Sequence, residues 1–385
     1  MVEAVQAGQS LRAVARAFRV SLPTVRRWVA RAEARRLDRV SWENRAPIPH
    51  RIHRTPRDVE DQVLTLRRDL QEVSALGEYG AGAIHRTWPI ATWGPPPAIR
   101  TIGRILERRG ALDGRRRVRR PPPPRGWYLP PVARGEADCD CFDVIEGLVL
   151  QGGPAVEVLT GIALHGGLPE AWPDDGVTAA RVVAALQARW RALGLPSFAQ
   201  FDNDTCFQGP HQFPDIVGRV ARLCLQLGLT PVFTPLNDPS FQAALENFNG
   251  RWQVTVWHRF HHSSLPALQA RSAAYIAAAR ERGAARAAEA PVRQAFPSGW
   301  EFDPTVPPCG QVIFLRRTDA QGVATLLGHA FAVDPHWPHR LVRAQVTLPA
   351  GLIRFSALRR RDPETQPLLR EVPYELPRRR WQLNE

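Results

Sequence analysis

The sequence contains no lysine: all 51 basic residues of the 385-residue chain are arginine. This bias is typical of a GC-rich genome and says little about chemistry. The sequence also lacks an apolar run near the ~18 residues that would span a bilayer, and its opening stretch lacks the apolar core of a secretory signal. We therefore expect no membrane segment and a cytoplasmic protein, associated with the nucleoid if its partner is DNA.

Cysteine is scarce and poorly spaced for metal binding. The five cysteines include no CxxC pair, and Cys139 and Cys141 lie in an apolar, strand-like stretch. No His or Cys stands near them at the spacing of a zinc site. We expect five reduced thiols, mostly buried.

The positive charge is concentrated in the first third of the chain. Residues 1–134 hold 27 arginines against 12 acidic residues, whereas residues 135–385 hold 24 against 25, so nearly all of the net charge of +14 precedes residue 135. Such an excess favours a polyanionic partner, because each neutralised phosphate releases condensed counterions. A merely solvated basic surface is the alternative.

Residues 3–32 have the apolar spacing of three short helices. Ser21 stands where it would cap the third helix, and Pro23 is tolerated in a first helical turn. This pattern is typical of a helix-turn-helix, although a small helical bundle with an arginine-rich face remains an alternative. The third helix would present to the major groove four side chains: Thr24, Arg26, Arg27 and Arg31.

A second helical unit is predicted between Pro56 and Gly110. Its last segment places Ile99, Ile102, Ile105 and Leu106 on one face and ends at Gly110. This segment resembles another recognition helix. The arginines around it are candidate DNA contacts: Arg100, Arg104, Arg108 and Arg109.

From residue 137 the periodicity changes to a β-β-β-α-β-α-β-α order, which indicates an α/β domain with a mixed sheet. The chain as a whole is predicted to be multidomain. We divide it into a helix-turn-helix domain (1–40), a linker (41–55), a second helix-turn-helix domain (56–114), an Arg/Pro-rich linker (115–134), the α/β domain (135–264), a helical arm (265–305), a small β-barrel (306–358) and a tail (359–385).

Three acidic residues occupy positions that a mixed sheet can bring together. Asp143 lies in the first strand, Asp202 ends the strand in "AQFDNDTCF", and Glu246 lies near the start of the helix after the last strand. Asp140 is a rival for the first position. Hard divalent cations prefer oxygen ligands, and two such ions can activate the attacking oxygen and stabilise the leaving one in phosphoryl displacement.

The motifs "CFDVIEGL", "FDNDTCF" and "ALENFNGRWQ", behind a basic helix-turn-helix region, resemble those of DDE-type transposases and integrases with a ribonuclease H-like catalytic core. Bacterial insertion-sequence transposases, which share this core with retroviral integrases, are the nearest likeness. The resemblance implies that Asp143, Asp202 and Glu246 are catalytic and bind Mg²⁺ or Mn²⁺, as two ions. It also implies double-stranded DNA partners, namely element ends and target, cleavage followed by strand transfer, and a homo-oligomer on DNA.

The chain departs from the family pattern at two positions. Asp204 stands where the family usually has glycine after Asp-Asn, and Gln242-Ala243 stand where it usually has Asn-Gly. A sequence-specific DNA-binding protein with a degenerate, non-catalytic core is therefore an alternative function. A ribonuclease H-like nuclease acting on RNA–DNA hybrids is a third, but it leaves the two helix-turn-helix units unexplained.

Overall fold

The structure is a computed structural model. It describes residues 1–32, 35–43, 55–112, 125–210, 212–236, 238–360 and 363–377. Most of the predicted linker 41–55, the first half of the linker 115–134 and the last eight residues of the tail lie outside the described residues. The chain divides into two compact units, residues 1–59 and 60–385.

The first unit contains the three helices that the sequence predicts. They are α1 (Val2–Gln6), α2 (Leu11–Ala17) and α3 (Leu22–Ala32). Val14 and Val25 are fully buried between α2 and α3, as the apolar spacing requires. The Ser21 hydroxyl accepts the Thr24 amide hydrogen at 3.3 Å, which confirms Ser21 as the cap of α3.

The second helical region belongs to the larger unit. Its helices are α4 (Arg57–Val73), α5 (Ala81–Arg86), α6 (Ile90–Trp93) and α7 (Ile99–Arg108). Ile102, Ile105 and Leu106 of α7 are buried, whereas Ile99 in its first turn is 52% exposed. Gly110 follows α7 with φ +65°, a left-handed conformation that glycine adopts without strain.

The α/β region confirms the predicted element order. After α8 (Pro130–Ala133) come the strands β1 (Cys139–Val149), β2 (Ala155–Ala163) and β3 (Glu170–Asp174), then α9 (Ala179–Leu193), β4 (Phe198–Phe201), α10 (Thr205–Gln208), α11 (Arg219–Gln226), β5 (Thr230–Phe233), α12 (Ala243–Trp252) and α13 (Leu265–Ala288). The strands β1, β2 and β3 pair antiparallel, while β4 and β5 continue parallel to β1. The strand order is therefore β3-β2-β1-β4-β5.

Helices cover both faces of this sheet. On one face α9 and α11 pack Trp190 and Leu223 against the sheet phenylalanines Phe142 and Phe201. On the other face α12 and α13 pack Trp252 and other side chains over β1 and β2. The predicted helical arm begins with α13, whose Leu268, Tyr275 and Ile276 are buried in the same layer. A sheet covered on both faces exposes functional side chains mainly at the ends of its strands.

The C-terminal strands extend this sheet. They are β6 (Gln311–Arg317), β7 (Val323–Leu326), β8 (His329–Ala332), β9 (Leu341–Thr347), β10 (Leu352–Ala357) and β11 (Leu368–Pro373). Because β6 pairs parallel with β5, the described strands form one nine-stranded sheet in the order β11-β10-β9-β6-β5-β4-β1-β2-β3, with β7 and β8 as a separate hairpin.

The separate β-barrel predicted over residues 306–358 is therefore not confirmed. The physical reason lies in β6, where five successive residues from Val312 to Arg316 are buried. A strand buried on both faces belongs inside a covered sheet, and its run of apolar residues does not reveal which strand lies beside it. In the described part of the chain, no helix is long and apolar enough to cross a membrane.

Candidate active site

Asp143 in β1 lies near Asp202, which directly follows the adjacent parallel strand β4. The pairing of β1 with β4 sets Cys141 beside Gln200, and the two aspartates each stand two residues further along. Because side chains alternate along a strand, the Asp143 carboxylate lies on the face that carries Cys141, which is the face covered by α12. Asp202 is close enough for its charge to act on Asp143. The strand pairing thus brings two of the three predicted site residues together.

The helix α12 supplies the third residue and a contact that the sequence analysis missed. The amide nitrogen Nδ2 of Asn249 donates a hydrogen bond of 2.9 Å to Asp143 Oδ2. Glu246 lies three positions before Asn249, on the same side of α12 and one turn closer to its N-terminus. The only sequence signal for Asn249 was its spacing from Glu246 in "ENFN".

Both aspartates have a raised pKa in this environment. Burial and the negative charges of Asp202 and Glu246 raise the pKa of Asp143 to about 6, against the opposing hydrogen bonds from Val144 and Asn249. Burial also raises the pKa of Asp202, as do the charges of Asp204 and Glu146. Like charges crowded in this way are stabilised by a cation.

Asp140, the rival for the first position, is instead held in buried hydrogen bonds to two arginines and a tryptophan. Its side chain is fully buried and accepts hydrogen bonds from Arg189 at 2.9 Å, Arg293 at 2.6 Å and the Trp190 indole at 3.1 Å. Burial alone would raise the pKa of Asp140, but the two guanidinium groups lower it well below its ordinary range. Asp140 points to the face opposite Asp143, and its charge is already neutralised.

The altered glycine position at Asp204 carries no backbone strain. Asp204 has φ −60° and directly precedes α10, where its carboxylate accepts the Cys206 amide hydrogen at 2.7 Å. Ala243, which stands at the other altered glycine position, is the first residue of α12 and is not among the residues with a positive φ. Neither residue therefore needs the left-handed conformation that favours glycine. Asp204 acts as a helix cap, and its own amide donates to Asp202 Oδ1 at 3.0 Å.

The donor set fits a hard divalent cation in its chemistry. It offers the carboxylate oxygens of Asp143, Asp202 and Glu246, and the side-chain oxygen of Asn249 is buried without a hydrogen-bond partner. Oxygen ligands of this kind suit Mg²⁺ and Mn²⁺. Among the described residues, however, no three His, Cys, Asp or Glu side chains already converge as a closed metal-binding group.

The predicted DNA contacts in the first unit lie along α3. Arg26 and Arg27 are exposed, whereas Arg31 is half-buried with its guanidinium 5.2 Å from the centre of the Trp28 ring. The Thr24 hydroxyl shares a hydrogen bond of 2.7 Å with Ser21, so Thr24 takes part in the helix cap. Arg26 and Arg27 are thus the predicted contacts most available to a nucleic acid.

The predicted contacts in α7 divide into two pairs. Arg100 and Arg104 are exposed, with no ion pair among the residues that the structure describes. Arg108 and Arg109 both bind Glu60 of α4, which is only 2% exposed, and Arg109 also binds Asp61 at 2.6 Å. The second pair holds α7 against α4, a contact between helices that no local spacing reveals.

Comparisons with known proteins give three results. Residues 1–41 match the family model of the homeodomain-like helix-turn-helix domain. No curated protein matches the chain. Among solved structures, the catalytic core domain of BIV integrase is similar at 17% identity and a TM-score of 0.27, covering 36% of this chain and 81% of that one.

Two further solved structures are similar. One is the simian T-cell lymphotropic virus intasome in complex with the PP2A regulatory subunit B56 gamma, at 12% identity and a TM-score of 0.33, covering 72% of this chain and 87% of that one. The other is the HTLV-2 integrase catalytic core domain in complex with magnesium, at 12% identity and a TM-score of 0.27, covering 35% of this chain and 81% of that one. At these TM-scores the function has to be argued from the site itself.

Proposed function

We propose that the chain is a DNA transposase or integrase of the DDE type, which binds element ends and catalyses metal-dependent cleavage and strand transfer. The observation that carries this proposal is the meeting of Asp143, Asp202 and the Glu246 helix at one sheet edge, where burial and the neighbouring carboxylate charges raise the pKa of Asp143. A purely structural carboxylate would be neutralised by arginine, as Asp140 is.

Each residue has a distinct role in this proposal. Asp143, Asp202 and Glu246 would hold Mg²⁺ or Mn²⁺ as a pair of ions, and Asn249 would orient Asp143 through its 2.9 Å hydrogen bond. The bound metal would supply activation of the attacking oxygen and stabilisation of the leaving one. Arg26, Arg27, Arg100 and Arg104 would neutralise DNA phosphates or reach base edges, and synapsis of two ends would require a homo-oligomer.

The decisive experiment uses DNA from either side of the coding sequence, because a mobile element carries its ends there. With Mg²⁺ or Mn²⁺, the wild-type protein should release a 3′-hydroxyl end. Asp202→Asn should lower cleavage at least about 100-fold, since a neutral amide binds divalent metal weakly, and should leave DNA affinity unchanged.

Asp204→Asn is the matched control, two residues away. Asparagine caps helices as well as aspartate does, so this variant should retain cleavage. Equal cleavage by Asp202→Asn and wild-type protein would contradict the catalytic assignment. Specific DNA binding without any metal-dependent cleavage would favour the alternative, a DNA-binding protein with a non-catalytic core.

A further inference from the structure

The strand β6 carries a buried guanidinium with an unusual set of partners. Arg316 is 6% exposed, and no acidic side chain of the described residues pairs with it. Its Nε donates to the Thr325 carbonyl at 3.2 Å, and Nη1 donates to the carbonyls of Thr234 at 3.0 Å and Leu315 at 2.9 Å. The remaining nitrogen, Nη2, donates to Asn203 Oδ1 at 2.9 Å.

Burial without a counter-charge is costly for an ion. Removal from water lowers the pKa of Arg316 to about 10, so the side chain remains protonated at neutral pH. A hydrophobic residue in a well-packed strand would avoid this desolvation cost. What Arg316 adds is a rigid, planar fork of donors that reaches several acceptors at once.

Two of these acceptors, Asn203 and Thr234, lie beside Asp202. Asn203 directly follows it, and the Asn203 side chain is held at both ends, because its Nδ2 also donates to the Thr234 carbonyl at 2.7 Å. The Thr234 amide in turn donates to the Phe201 carbonyl at 3.0 Å, directly before Asp202. Arg316 thus fastens the end of β4 to the end of β5 around the residue that carries the carboxylate.

We propose that Arg316 is a positioning residue, which acts through Asn203 to fix the backbone of residues 202–204 and hence the direction of the Asp202 carboxylate. The C-terminal extension of the sheet is then part of the functional site, although it contributes no metal ligand. This inference rests on the proposed function for its consequence in metal binding, but its conformational part can be measured without metal.

The first measurement is amide hydrogen exchange of the full-length protein in the absence of metal. Arg316→Met keeps an unbranched stem and removes the donors. We expect exchange of the amides of residues 202–206 to accelerate at least tenfold, with exchange in β9 and β10 unchanged. Arg317→Met is the matched control, because Arg317 is the next residue of β6 and is 53% exposed. In this variant the amides of residues 202–206 should exchange as fast as in the wild-type protein.

The second measurement is Mn²⁺ binding, followed by the electron paramagnetic resonance signal of the free ion. Loss of a residue that orients a metal ligand typically weakens metal affinity by about 10–100-fold, and we expect Arg316→Met to fall in this range. Asn203→Ala should weaken Mn²⁺ binding similarly. The double variant should bind Mn²⁺ no more weakly than the weaker-binding single variant, because both substitutions remove the same hydrogen bond between Arg316 and Asn203.

Three outcomes would overturn the inference: unchanged exchange in residues 202–206, exchange accelerated equally throughout the sheet, or additive losses in the double variant. If Arg316→Met does not fold, the Asn203→Ala variant tests the inference in its place. Amide exchange in residues 202–206 should then accelerate in Asn203→Ala. If wild-type protein binds no Mn²⁺, the proposed function fails, while local acceleration in residues 202–206 still supports the positioning role of Arg316.

Discussion

Two aspartates only three positions apart in β1 have opposite electrostatic environments. Asp140 is enclosed by arginines, and Asp143 is crowded by other carboxylates. Alternation along the strand separates them, because residues 140 and 143 point to opposite faces of the sheet. Removal of the carboxylate charge should therefore have opposite effects on stability at the two positions.

For Asp143→Asn we expect a gain in stability when metal is absent. The folded-state pKa of Asp143 is raised to about 6, so the charged form destabilises the fold above that pH, and this penalty disappears as the pH falls towards about 4. In EDTA at pH 7.5 the variant should be more stable than wild type by roughly 1–2 kcal/mol, and equal to it at pH 4. Urea unfolding at both pH values measures this, and a loss of stability at pH 7.5 would contradict it.

For Asp140→Ala we expect severe destabilisation, because the change leaves Arg189 and Arg293 buried without their counter-charge. Breaking a buried pair in this way costs about 3–5 kcal/mol. Asp175→Ala is the control, since Asp175 pairs with Arg181 at the surface and should matter little. Similar urea midpoints for the two variants would refute the structural role of Asp140.

At the scale of single elements, α7 carries two kinds of arginine: some are exposed and available to DNA, and others form ion pairs with α4. Arg104 is exposed, whereas Arg108 binds the buried Glu60. We expect Arg104→Ala to weaken DNA binding and to reduce the slope of log affinity against log salt by about 1, without loss of stability.

Arg108→Ala provides the opposite case. It leaves the buried Glu60 with one ion-pair partner fewer, so it should lower the free energy of unfolding by about 1 kcal/mol. Fluorescence anisotropy with labelled DNA at several salt concentrations, together with urea unfolding, compares the two variants. Equal salt slopes for Arg104→Ala and wild type would exclude Arg104 as a phosphate contact.

The elements themselves were predictable where the signal is local. Helical spacing and the Ser21 cap located α1 to α3, and the change to β-type runs located the order from β1 to α12. The contacts that complete the site were not predictable, because they join distant segments. Asn249 lies 106 positions from Asp143, and Arg316 lies 113 positions from Asn203. No periodicity reports which elements lie side by side at such separations.

At the scale of the whole molecule, the C-terminal strands continue the sheet of the α/β region, so we expect them to be necessary for its folding. Removal of residues 306–385 would uncover β5 and expose Val232 and Phe233, whose partners on β6 are Ile313 and Phe314. We expect such a truncated chain to aggregate or to lack a cooperative unfolding transition. The full-length protein is the reference for both measurements. A soluble, cooperatively folded 1–305 chain, assessed by circular dichroism, would contradict this expectation.

The pairing of Val232 with Ile313 also has a consequence for biosynthesis. The ribosome releases the N-terminal helices first, and their contacts are local enough to form at once, whereas β5 must wait for a strand that emerges about 80 residues later. Under the proposed function, a chain released early would hold DNA-binding helices and an unfinished sheet. Prematurely terminated protein would then occupy DNA sites without cutting them, and so compete with the complete enzyme.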